Sequence, residues 1–162
     1  MLLSPLCLSL FLFISWPLLN GVLNDVRCET SDPSHKRYVG SKACMECHEM
    51  EYENFKKFSK KSSSFHSVTI MKKGLTDEEV KACFKCHTTG YGKPGGFTSE
   101  EETPHLKNAG CEVCHGPGSI HIESEEAEDI KGQLELKDCE TCHNAERVKA
   151  FNYKPLIYGG AH

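Results

Sequence analysis

Gly110-Cys111-Glu112-Val113-Cys114-His115-Gly116-Pro117-Gly118-Ser119-Ile120-His121 holds the pattern that organises the chain. Cys-x-x-Cys-His is the attachment pattern of c-type haem, in which two thiols add to the vinyl groups and the adjacent imidazole ligates the iron. Two intervening residues wrap one turn of chain around the porphyrin edge and bring the next side chain beneath the metal.

The pattern recurs at Cys44-Met45-Glu46-Cys47-His48, Cys83-Phe84-Lys85-Cys86-His87 and Cys139-Glu140-Thr141-Cys142-His143. Together the four motifs use eight of ten cysteines and four of nine histidines. Zinc ribbons share the thiol spacing but need no histidine after it. An even cysteine count in an exported chain also suits a disulfide framework, which again leaves the histidines unexplained. At this histidine content, four such placements by chance have a probability of about one in 100,000. Four covalently bound haem c groups are therefore expected, on Cys44/Cys47, Cys83/Cys86, Cys111/Cys114 and Cys139/Cys142, with His48, His87, His115 and His143 as proximal iron ligands.

Residues 1–19 are almost wholly apolar, and no charge precedes Asp25. This is the composition of an export signal, although a basic n-region and a small-x-small cleavage site are missing. Residues 1–24 are read as a cleaved signal peptide, with a retained N-terminal anchor and membrane association as the alternative; Pro5, Pro17 and a short apolar run weaken a spanning helix. Both lead to a periplasmic or extracellular location. Residues 25–37 form a polar leader, and residues 38–162 form the haem domain. Cys7 lies in the signal and Cys28 is an incidental thiol of the leader.

The mature chain has few large apolar residues, so haem plates must supply much of its interior and folding should depend on their attachment. The expected fold is mainly α with little regular secondary structure: short helices and long loops wrapped around four closely packed haems. A formal charge of −4, made more negative by propionates, argues against nucleic acid as partner. Lysines at 56, 57, 60, 61, 72 and 73 and acids at 123, 125, 126, 128 and 129 read as solvated helix surface, with docking of redox proteins as the sharper alternative.

Along the chain, Ser41 is expected to cap a helix that carries the first motif and continues through Met50, Tyr52, Phe55 and Phe58. Ser62-Ser63-Ser64 breaks it. Thr76 with Glu79 forms a capping box opening a helix into Cys83. Thr88 to Pro104, with Gly90, Gly92, Gly95 and Gly96, reads as a hairpin-like loop. Gly116-Pro117-Gly118 ends the turn at His115, Ser119 starts an acidic helix to about Lys131, and Asp138 caps the last motif. The second, third and fourth motifs are spaced 28 residues apart, a similarity set by haem packing rather than by solenoid repeats.

Five histidines lie outside the motifs, His35, His66, His105, His121 and His162, and they are the candidates for the sixth iron position. Met45 sits inside a motif, leaving Met50 and Met71 as the mature thioethers, so histidine is the expected distal ligand and the potentials should be low. His66, His121, His162 and His105 are the distal set; His35, in a charged leader, is the weakest candidate.

Tyr38-Val39-Gly40-Ser41, His66, Thr89-Gly90-Tyr91-Gly92, Gly95-Gly96-Phe97-Thr98 and the Gly110 to Gly118 stretch resemble the tetrahaem cytochrome c-554 family. The resemblance implies haems stacked in parallel and perpendicular pairs, with distal histidines crossing between segments. By position, His121 would ligate the haem on Cys44/Cys47, His66 that on Cys111/Cys114, and His162 that on Cys139/Cys142. In a nitrifying member of the family the iron matching Cys83/Cys86 is five-coordinate and linked to nitric oxide chemistry; here His105 is the candidate to close it. Three functions stay open. The first is an exported carrier relaying single electrons between redox partner proteins, with no catalytic residues of its own. The second is a small nitrogen-oxide (nitric oxide) reductase at an open haem on Cys83/Cys86. The third is self-assembly as a subunit of an extracellular conductive filament, with His162 reaching a neighbour.

Overall fold

The computed structural model describes residues 36–144, all within one compact unit. The expected signal at residues 1–24, most of the expected leader, Cys7, Cys28, His35 and His162 lie outside the described residues. Seven short α-helices follow one another: α1 (Ser41–Cys44), α2 (Glu49–Phe58), α3 (Phe65–Met71), α4 (Asp77–His87), α5 (Glu112–His115), α6 (Ser119–Ser124) and α7 (Leu136–Glu140). Single 3₁₀ turns lie at Lys60–Ser63, Lys72–Gly74, Pro104–Leu106 and Ala127–Asp129. No strand occurs among the described residues, as the mainly α expectation requires. No described helix is long and apolar enough to cross a membrane.

The longest helix, α4, has the strongest local reason to form. Thr76 Oγ1 accepts from Glu79 N while the Glu79 carboxylate accepts from Thr76 N, closing the capping box and satisfying two otherwise orphaned donors. Asp77, Glu78 and Glu79 then place negative charge at the positive end of the helix dipole. The helix carries the whole second motif and stops at His87.

Helix α3 packs against α4, and an apolar cluster joins them to the following loop: Phe65, Phe97 and Leu106, bordered by Tyr38, Phe84 and Tyr91. Phe84 is its hub, with ring centroids 5.9 Å from Phe65, 5.2 Å from Phe97 and 5.3 Å from Tyr91. The latter two pairs are edge-to-face, the arrangement the ring quadrupoles favour.

The glycine-rich loop feeds this cluster. It folds back as expected, with Phe97 N donating to Thr89 O at 2.9 Å, so that Phe97 is returned to the interior with 2% of its surface exposed. Glycine is required where the two arms meet: Gly90 (φ 72°) lies under the Tyr38 ring, and a Cβ on Gly96 would collide with the Gly90 carbonyl. Thr89, itself buried, then holds the stretch that leads to the third motif. Its N–H donates to Leu106 O at 2.9 Å, its Oγ1 donates to Asn108 O at 2.6 Å, and it accepts from Gly110 N at 2.9 Å.

Five local expectations are corrected. Ser41 is the first helical residue rather than a cap: Gly40 holds the cap position, and Ser41 Oγ accepts instead from Cys111 N at 3.0 Å. The first motif interrupts the helix, because Met45 to His48 turn the chain and His48 leaves helical geometry at φ −119°, ψ 49°. The end of α2 falls at Ser59, in extended geometry, ahead of the serine run. The acidic helix stops at Ser124, where Glu125 turns left-handed (φ 60°), well short of Lys131. Finally, Glu135 rather than Asp138 caps α7; Asp138 is the third helical residue and accepts from Glu135 N at 2.8 Å.

Candidate haem-binding site

Each motif reaches its place on a different support. His87 ends α4 and is pinned to the start of α3: its Nδ1 donates to Ser64 O at 2.8 Å, while Ser64 Oγ donates to His87 O at 2.9 Å. Ser64 Oγ also accepts from Ala109 N at 2.9 Å, bringing the approach to the third motif alongside. His115, at the end of α5, donates from Nδ1 to Lys131 O at 2.6 Å, and Gly116 (φ 80°) ends the helix there. His121, on α6, donates from Nδ1 to Glu126 O at 2.8 Å, a contact made by the left-handed turn at Glu125. A carbonyl that accepts from Nδ1 fixes the tautomer and directs Nε2 outward, the usual second-shell support of a metal-ligating histidine.

The motifs also come together in pairs. The Cys44 and Cys111 thiols, from the first and third motifs, are hydrogen-bonded to each other. That contact lowers Cys111 and raises Cys44 as free thiols. From the fourth motif, Cys142 Sγ lies 3.9 Å from the carbonyl of Lys85, inside the second motif. Burial raises the Cys114 thiol, and also that of Cys139. Burial, with the Lys61 charge behind it, lowers His143 and so favours its neutral, metal-binding form.

Of the distal candidates, His121 meets the imidazole of the first motif, His48. Its ring centroid lies 6.2 Å from that of His48, with the planes 23° apart. His66 stands exposed on α3, two residues beyond Ser64. His105 lies against Gly40, where an added Cβ would sit 3.3 Å from its Cδ2. It lines a cavity of about 130 Å³ with Ser41, Lys42, Tyr52, Phe55 and Lys56 among others, and no residue of the second motif lines that cavity.

This donor set fits haem c. None of the eight motif cysteines is in a disulfide, each pair is followed by an imidazole, and no cluster of three His, Cys, Asp or Glu among the described residues suits a bare metal ion. Large apolar side chains remain uncovered on the motif-bearing helices and their neighbours, including Met50 at 69% exposed and Ile70 at 62%, as contacts for a rigid apolar plate would be. Sequence reasoning missed Ser64, Glu126 and Lys131, because each holds an imidazole through a backbone carbonyl that leaves no side-chain signature.

Short helices bearing Cys-x-x-Cys-His with oriented imidazoles define a c-type cytochrome. The family described as cytochrome c554 and c-prime matches residues 43–116. The chain is 32% identical over 147 residues to cytochrome c-554 of Nitrosomonas europaea, covering 76% of this chain. It spans 62% of that relative's length, under two thirds. No solved structure matches. The chain belongs to the cytochrome c-554 family, whose cofactor is covalently bound haem c.

Proposed function

We propose that the protein is an exported electron carrier with four haems, relaying single electrons between partner proteins. When bound, haem supplies the one-electron chemistry; the chain sets its axial ligands, spacing and burial. The observation that carries this reading is the His48–His121 pair. Two imidazoles bound through Nε2 to opposite faces of one iron have centroids about 6 Å apart. The separation of 6.2 Å, with both rings on different elements and His121 oriented by Glu126 O, matches such a pair for the group on Cys44/Cys47. The paired thiols of motifs one and three, and the contact between motifs two and four, support spacings short enough for a relay. His66 and His162 are proposed for the groups on Cys111/Cys114 and Cys139/Cys142, the latter from outside the described residues.

His121→Ala tests the pair. The oxidised holoprotein, with four haems verified by pyridine haemochrome, should lose about one haem of low-spin paramagnetic resonance signal, gain a high-spin component and bind carbon monoxide when reduced. An unchanged spectrum removes His121 from the iron.

A second reading is favoured by the position of His105. Lying on Gly40 beside the first motif, it supports an open iron on Cys83/Cys86 and a nitric oxide reductase rather than a simple carrier. A high-spin signal near one haem per chain in the unmodified protein would bring that reading forward; low-spin signals alone would remove it.

A further inference from the structure

Glu112 is an acid in the interior of a haem motif, yet its side chain faces away from solvent, with 2% of its surface exposed. An isolated buried carboxylate is costly, and this one is fully occupied. Oε1 accepts from Val39 N at 2.9 Å and from Gly118 N at 2.8 Å; Oε2 accepts from Gly40 N at 2.8 Å and more distantly from Val39 N at 3.2 Å. The amides it gathers come from two separate segments. Val39 and Gly40 lead directly into α1 and so to Cys44, Cys47 and His48. Gly118 caps α6, which carries His121. Beside the carboxylate the same two segments exchange a second pair of bonds, Arg37 N to Ser119 Oγ at 2.8 Å and Ser119 N to Arg37 O at 3.2 Å.

We propose that Glu112, from within the third motif, is the positioning residue that sets the His48–His121 ligand pair of the first. The inference rests on the ligand reading above. One carboxylate between two segments fixes the distance between the iron ligands they carry, and it does so where water cannot substitute. The Tyr38 hydroxyl, half-buried and beside that charge, is held above the ordinary phenol range. Gly40 itself (φ 83°) presents its N–H to the carboxylate in a backbone conformation that a side chain would strain.

Glu112→Gln separates this role from mere packing. The amide keeps the volume but turns one oxygen into a donor. Whichever way it rotates, either Gly40 N or the Val39 and Gly118 amides then face an N–H. In oxidised holoprotein carrying all four haems, we expect the low-spin signal assigned by His121→Ala to shift or convert to high spin, with carbon monoxide binding to about one haem per chain. Ser119→Ala should move the same signal in the same direction by less. If His121→Ala alters that signal and Glu112→Gln lowers only the melting temperature, Glu112 is structural and the proposal is overturned. If His121→Ala leaves the signal intact, the ligand reading itself fails. Should Glu112→Gln not accumulate as holoprotein, Ser119→Ala decides: an unchanged first-haem spectrum there overturns the proposal.

Discussion

Phe84 and Glu112 each follow the first cysteine of a motif, and each is the centre of its region, yet they work by opposite physics. Phe84 gathers Phe65, Phe97 and Tyr91 around the second motif, so α3, α4 and the glycine-rich loop are held by apolar burial. Glu112 gathers three backbone amides around the junction of the first and third motifs. Burial is non-directional and degrades gradually as contacts are lost. A buried carboxylate with every lone pair used is directional, and losing one acceptor strands a donor at full desolvation cost. The second motif therefore has a scaffold of its own, whereas the geometry of the first depends on a distant residue and on the plate its helices leave room for. Tyr38 touches both regions, lying over Gly90 and beside Glu112.

The largest expected effect comes from truncating the most buried ring of the aromatic cluster. Phe97→Ala should cost about 3–5 kcal/mol by loss of burial and a residual cavity. Denaturant unfolding checks the size. The contrast is sharpened if the first haem's low-spin signal stays as it was, and broken if that signal is lost along with stability. Glu112→Gln is the mirror experiment, with a spectral change expected to exceed its effect on melting. A smaller loss, about 1 kcal/mol, is expected for Thr76→Ala, which removes the cap of α4 while leaving the aromatic packing in place. Hydrogen exchange should show faster opening confined to the first turn of that helix; opening spread through His87 would mean that the apolar scaffold depends on the cap.

The smallest effect is expected at Asp138, whose carboxyl Lys131, and then the Glu135 N–H, hold below the usual carboxylate range. A depressed folded value gives stability that is present above the unfolded carboxyl range and lost as pH falls through the folded value. Asp138→Asn should therefore remove a small stabilisation at neutral pH and leave stability below the folded value nearly unchanged, which flattens the acid limb of the unfolding curve. Because Lys131 also offers its carbonyl to His115, a change at neutral pH in the signal of the haem on Cys111/Cys114 would show that this surface pair supports the ligand as well.

Legibility followed the range of the interaction. The Thr76–Glu79 box, the stop at Gly116 and the folding back of the Thr88 to Pro104 loop all depend on residues within a few positions of one another, and all are present as expected. Ser41 misled because its hydroxyl had a distant partner, Cys111 N, as well as a local role to play. Asp138 is one member of a cap whose other member, Glu135, carries an uncommon residue type at that position. Glu125 ended α6 early because His121 takes Glu126 O, a bond that acidic composition alone does not announce.

What the amino-acid order determined by itself was the covalent chemistry. Two thiols and an imidazole within five residues carry their own geometry, so the motifs, the cofactor class and the mainly helical frame could be read without a fold. Only the tertiary structure decided which distant segments lie against each other. It placed the His121 ring 6.2 Å from that of His48, set His105 on Gly40, and turned Glu112 from a spacer between two cysteines into the clamp joining residues 37–40 to α6. Those relations depend on backbone amides and carbonyls that every residue carries alike, and a buried donor must find its acceptor wherever the chain brings one.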